Sequence, residues 1–149
     1  MKGVLLETDV IVEYLTAAPD EVPLMRRLLG TISCCTTFLQ AAEIYSAARD
    51  DGERRTVEQA LFGLKILGAS SRYAKTIALL LSSEGRMGGH RTAIVAAMAI
   101  ESGLPVITDD HLQEFGGISG LRLIEASTLR RTPDHAALAD ALATIEPAG

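Results

Sequence analysis

Glu7, Glu43, Asp109 and Asp110 stand where a parallel α/β sheet would bring their carboxylates together. Glu7 ends the apolar run Val4-Leu5-Leu6, Asp109 and Asp110 follow Val106-Ile107-Thr108, and Glu43 lies on the helix expected after the run from Thr31 to Thr36. If these runs are strands of one parallel sheet, their carboxyl ends share an edge, which is where such sheets hold ligands. Clustered carboxylates repel, so one stays protonated unless a cation lies between them. An oxygen-only set suits the hard divalent ions Mg²⁺ and Mn²⁺. Such ions support in-line phosphodiester hydrolysis by activating water and stabilising the leaving oxygen. The alternative is that acids at strand ends cap the next helix, and topology alone leaves the two readings level.

The elements that must position these acids follow from periodicity. Val4 to Leu6 is a strand buried on both faces. The helix after it carries Val10, Ile11, Tyr14 and Leu15 on one side, with Asp9 as the expected N-cap. A second helix is expected from about Asp20, its cap, to Leu29, with Gly30 as a stop. The second strand, Thr31 to Thr36, leads into a helix from about Thr37 to Arg49, with Phe38, Leu39, Ala42, Tyr45 and Ser46 on one side and Glu43 about midway. Ala42, Ile44 and Ala47 leave little polar face for Glu43, which points it toward a site. Glu53 to Leu64 is amphipathic, with Val57, Leu61 and Leu64 at helical spacing. Lys65 to Ala69 is a short strand or a connection, and Arg72 to Ser82 is a helix with Ala74, Ile77, Ala78 and Leu81 inward. A glycine-rich bend, Ser83 to Gly89, precedes Thr92 to Ile100, a helix apolar on nearly every side and so packed all round. Val106-Ile107 is the third buried strand, a short irregular segment reaches Phe115, and Leu121 to Ile124 is an edge strand. Thr132-Pro133-Asp134 opens a last helix, with Pro at N1 and a narrow stripe of Leu138, Leu142 and Ile145. Strands alternating with helices predict a three-layer α/β/α parallel sheet.

A chain of 149 residues, 48% hydrophobic, fits one domain with a real core. The net charge of −5 argues against general polyanion binding, although a local Arg cluster can still hold phosphate. Arg49, Arg54, Arg55 and Arg86 are candidates for such contacts, with solvated surface the plainer role. Cys34 and Cys35 are adjacent in an apolar stretch and read as reduced core thiols of a cytoplasmic protein. No signal peptide or membrane-length apolar run is visible.

Five stretches, in order and over the chain to about Ile124, resemble the PIN domain of VapC-like toxins from toxin–antitoxin pairs. They are Leu5-Leu6-Glu7-Thr8-Asp9-Val10-Ile11-Val12-Glu13-Tyr14-Leu15, Thr36-Thr37-Phe38-Leu39-Gln40-Ala41-Ala42-Glu43-Ile44-Tyr45, Gly89-His90-Arg91-Thr92-Ala93-Ile94-Val95-Ala96-Ala97, Leu104-Pro105-Val106-Ile107-Thr108-Asp109-Asp110, and Phe115 with Gly120-Leu121-Arg122-Leu123. The resemblance implies a PIN-like fold over residues 1–131, with 132–149 a helical extension packed on the same domain or on a partner. It also implies a Mg²⁺- or Mn²⁺-dependent endoribonuclease, RNA as substrate, a cognate antitoxin as partner, and a homodimer.

The family's four acidic positions fall on Glu7, Glu43, Thr92 and Asp110. Glu7 lengthens the usual Asp by a methylene, with Asp9 near enough to share a metal, and Thr92 puts a neutral hydroxyl where a carboxylate is expected. Weak metal binding by Glu7, Glu43, Asp110 and Asp9 follows, with Thr92 orienting water. Arg91 either partly replaces the metal or, the preferred role, holds a substrate phosphate, with Thr37 a further substrate contact. The rival reading is a non-catalytic PIN fold that binds RNA or a protein, its carboxylates capping helices and pairing with Arg91. A receiver-like module is disfavoured, because no Lys ends a late strand.

Overall fold

A computed structural model of the chain describes residues 3–83 and 89–144. Residues 84–88 of the expected Ser83 to Gly89 bend, Arg86 among them, and Ile145 of the C-terminal stripe lie outside the described residues.

Five short strands form one sheet: β1 (Val4–Leu6), β2 (Cys34–Thr37), β3 (Lys65–Leu67), β4 (Val106–Thr108) and β5 (Leu123–Glu125). Their spatial order is β3-β2-β1-β4-β5, and all neighbouring pairs are parallel. β1 is central and fully buried. Successive connections run outward from it on both sides, so the winding reverses between β1 and β4. At such a reversal the chains after the two strands part and leave a crevice. Glu7 and Asp109 follow those two strands directly.

Alternation along each strand divides the core in two. Val4, Leu6, Cys34 and Ile107 face one layer, built from α1 (Thr8–Thr16), α2 (Leu24–Leu29), α3 (Phe38–Ala47), α4 (Asp51–Phe62), α8 (Ala126–Arg130) and α9 (His135–Ala143). Leu5, Cys35, Leu67 and Val106 face the other, where α6 (Gly89–Ser102) and α7 (Leu112–Phe115) contribute Val95, Ala96, Met98, Ala99 and Phe115. The fold is the three-layer α/β/α arrangement with a parallel sheet. α6 is buried along Thr92, Ala93 and Val95 to Ala99, as its all-round apolar sequence requires. It ends at Gly103, whose φ of +67° closes the helix in the left-handed region that favours glycine. Leu138 and Leu142 of α9 lie in the same core as β1. No helix among the described residues is long and apolar enough to cross a membrane.

Several local expectations change. α2 begins at Leu24, after Pro23, and not at Asp20; Glu13 of α1 accepts from the Leu24 amide at 2.9 Å and supplies the missing cap. α4 begins at Asp51 and not at Glu53, with Asp50 as its cap, its side chain accepting from the Glu53 amide. On α3 the buried residues are Gln40, Ala41 and Ile44, while Phe38 and Tyr45 are exposed. α5 (Ala74–Leu81), preceded by a single 3₁₀ turn, has no buried residue, and of the residues expected inward only Ile77, joined by Leu80, packs on the core. Asp134, not Thr132, caps α9, and Pro133 lies one residue before that cap instead of at N1. Residues 126–130, which have no clear apolar period, form α8.

Candidate functional site

Glu7 leaves β1 fully buried, and its backbone already has extended geometry. It is the N-cap of α1, with Oε1 accepting from the Thr8 amide at 2.9 Å. Asp9, expected in that role, points elsewhere. Its Oδ1 accepts from Thr108 Oγ1 at 2.8 Å, and its Oδ2 accepts from the Asp109 and Asp110 amides at 2.8 and 3.2 Å. Asp9 thus ties the end of β4 to the first turn of α1. The cap position is fixed by where β1 stops pairing: the Glu7 amide still donates to Ile107 O, and helical backbone begins at the next residue.

α3 brings the second carboxylate. Thr37 caps it in a reciprocal capping box with Gln40, the Thr-x-x-Gln pattern. Gln40 is buried, and its Nε2 donates to Glu7 Oε1 at 2.8 Å. Its Oε1 accepts from the Thr37 amide and hydroxyl. A buried relay therefore runs from the cap of α3 through Gln40 to Glu7, and Glu43, three residues on, faces the same crevice. Sequence reasoning passed over Gln40, although Thr37-Phe38-Leu39-Gln40 already spells the capping box.

The guanidinium of Arg91 fills the space between the two carboxylates. Its Nη1 and Nη2 donate to Glu7 Oε2 and Oε1 at 2.8 and 2.9 Å, and its Nε and Nη2 donate to Glu43 Oε2 and Oε1 at 2.7 and 2.8 Å. Each carboxylate is held bidentately, the strongest arrangement this pair of groups makes. Burial would lower the Arg91 pKa, but the bonds to Glu7 and Glu43 outweigh it and hold the guanidinium charged above its ordinary range. Glu7 is fully buried, whereas the side chains of Glu43 and Arg91 keep 38% and 25% of their exposure. One face of the ion triad is therefore open to solvent.

The other expected site residues are placed as follows. Thr92 is buried, 1% exposed, in the first turns of α6. Asp110 is exposed, and its amide, not its carboxylate, meets Asp9. Asp109 serves α8: its carboxylate accepts from the Ser127 amide at 2.9 Å, from Ser127 Oγ at 2.8 Å and from Arg130. Burial would raise its pKa, and the Ser127 and Arg130 contacts together bring it below the usual carboxylate value. His111 lies between Thr8 Oγ1 at 3.5 Å and Glu114 at 2.6 Å. Thr37, expected to be a substrate contact, is buried and engaged with Gln40. Arg91, expected to hold a phosphate, has four of its five N–H groups on carboxylates.

These side chains do not fit a divalent ion. A metal would need the oxygens that Arg91 already takes, Thr92 brings no charge, and Asp9 is committed to the turn after β4. Among the described residues, no three His, Cys, Asp or Glu side chains form a group able to hold a metal. Arg49 and Arg54, considered for phosphate, pair with Glu53 and Asp51 on the surface. The adjacent thiols are inert core groups: burial, then the neighbouring Cys35, pushes Cys34 up to about 12, and burial raises Cys35.

Three solved structures show what this fold is similar to. VapBC bound to DNA from Salmonella typhimurium matches with a TM-score of 0.67 and 25% identity, over 83% of this chain and 98% of that one. VapBC-1 from nontypeable Haemophilus influenzae matches at 0.68 and 18%, over 83% and 98%. VapBC2 from Rickettsia felis, bound to a promoter DNA fragment, matches at 0.67 and 19%, over 81% and 96%. No family profile and no curated protein matches the sequence.

Proposed function

We propose that this chain, which has the VapC-like PIN fold, is the toxin-type member of a toxin–antitoxin pair and works by binding its partner, not by metal-dependent hydrolysis. The observation that carries the reading is Arg91 seated between Glu7 and Glu43, in a fold shared over nearly the full length of toxin–antitoxin proteins. The fold supports the pairing; the filled acidic crevice argues against the chemistry. The partner is a small cognate antitoxin. A surface cleft of about 300 Å³ supports that choice, since it offers a protein segment apolar contact at the exposed Val22 and charged contact at Glu21.

The competing reading is a Mg²⁺- or Mn²⁺-dependent endoribonuclease acting on RNA. Glu7 and Glu43 converging at the carboxyl edge favour it, and it requires Arg91 to give up both carboxylates. A cleavage assay on a long single-stranded RNA in Mg²⁺, Mn²⁺ or EDTA separates the two. The wild type is expected to cleave no faster than Glu43→Gln under any of these conditions, and Thr92→Asp is expected to add no activity while Arg91 is present. Co-expression with a small reading frame adjacent to the gene is expected to yield a stable complex. Metal-dependent cleavage lost in Glu43→Gln would establish the nuclease reading instead.

A further inference from the structure

We infer that Arg91 is the resident cation of this crevice, and that removing it turns the Glu7–Glu43 pair into a divalent-cation site. A fully buried carboxylate needs a compensating positive charge and filled lone pairs. Glu7 obtains both without any ion: Arg91 brings the charge, and Thr8, Gln40 and Arg91 together supply four hydrogen bonds. Glu43 receives its charge from the same guanidinium. A planar fork that binds two carboxylates bidentately links the end of β1, α3 and α6, the cross-linking that a bound metal would otherwise provide. Arg differs from a metal in being covalent to the chain and permanently charged. A divalent ion must therefore displace Arg91 from both carboxylates before it can bind here.

Without Arg91 the same positions leave two converging carboxylates, one backed by Gln40, with a solvent-open side at Glu43. Two carboxylates with water completing the shell are a minimal site for Mn²⁺ or Mg²⁺. The inference rests on the proposed reading of this crevice, yet the two fail separately. A wild type that cleaves RNA in EDTA would end the binding-only reading and leave the cation assignment intact.

The test is thermal unfolding of the wild type, Arg91→Ala and the double variant Arg91→Ala/Glu43→Gln, each in EDTA and in millimolar Mn²⁺. A ligand that binds only the folded state raises its midpoint. The wild-type midpoint is expected to be the same in both conditions. Arg91→Ala is expected to start lower and to rise by several degrees in Mn²⁺, and the double variant to lose that rise. Arg91→Gln, which keeps part of the stem and a hydrogen-bonding end, takes the same test if the alanine variant does not fold. A wild-type midpoint that rises in Mn²⁺ and is flat in Glu43→Gln overturns the inference. So does a folded Arg91 variant with no Mn²⁺ response.

Discussion

Replacing Arg91 with alanine lowers the stability of the protein by about 3–5 kcal/mol, the cost of breaking a buried ion pair and stranding its partner. The stranded partner is Glu7, fully buried, which keeps only the Thr8 amide and Gln40 as hydrogen-bond donors. Against a total stability of about 5–15 kcal/mol this is a large fraction. At about 2–4 °C per kcal/mol for a domain of this size, the unfolding midpoint falls by roughly 10 °C. The same substitution on the solvent side would cost little, because exposed ion pairs contribute about 0–1 kcal/mol; Arg54, paired with Asp51 on the surface of α4, is the control. Adding Glu7→Gln to Arg91→Ala removes the buried charge and recovers part of the loss, so the two substitutions are strongly non-additive in a double-mutant cycle. Additive losses would mean that Arg91 stabilises the fold by packing alone.

The second large effect is expected in the core beneath α9. Leu138→Ala costs about 2–5 kcal/mol, the range for truncating a buried leucine where the surroundings only partly collapse. Leu138 is fully buried in the core that holds Val4, Leu6, Ile11 and Met25. α9 is fastened on as well as packed on: Arg27 of α2 donates to Thr132 O and Oγ1, both at 2.8 Å, and Asp134 caps the helix at 2.9 Å. Asp140→Ala on the exposed side of α9 should change stability by no more than about 0.5 kcal/mol. Equal effects from the two substitutions, read from denaturant midpoints, would mean that α9 does not share the core.

The central strands were legible because they are buried on both faces and read as plain apolar runs. For the same reason the convergence of Glu7 and Glu43 could be anticipated: parallel strands put their ends on one edge, whatever the intervening helices do. What occupies the space between two carboxylates was less open to reading. Arg91 lies 84 residues from Glu7 and 48 from Glu43, and no local pattern distinguishes a guanidinium that points inward from one that holds a phosphate. Glu7 took the cap role expected of Asp9 because both suit a cap, and the choice depends on where β1 ceases to pair with β4. On α3, the side that carries Phe38 and Tyr45 is not the buried one. The helix instead turns Gln40 and Ile44 inward, with the capping box setting its first turn. α8 is too short to show a period at all.

The most direct measurement is a crystal structure of the wild type grown or soaked in Mn²⁺, with anomalous diffraction collected to locate the ion. Arg91 density is expected to bridge Glu7 and Glu43, with no anomalous peak between them. A Mn²⁺ peak bonded to oxygens of both carboxylates, with Arg91 turned away, would contradict that arrangement.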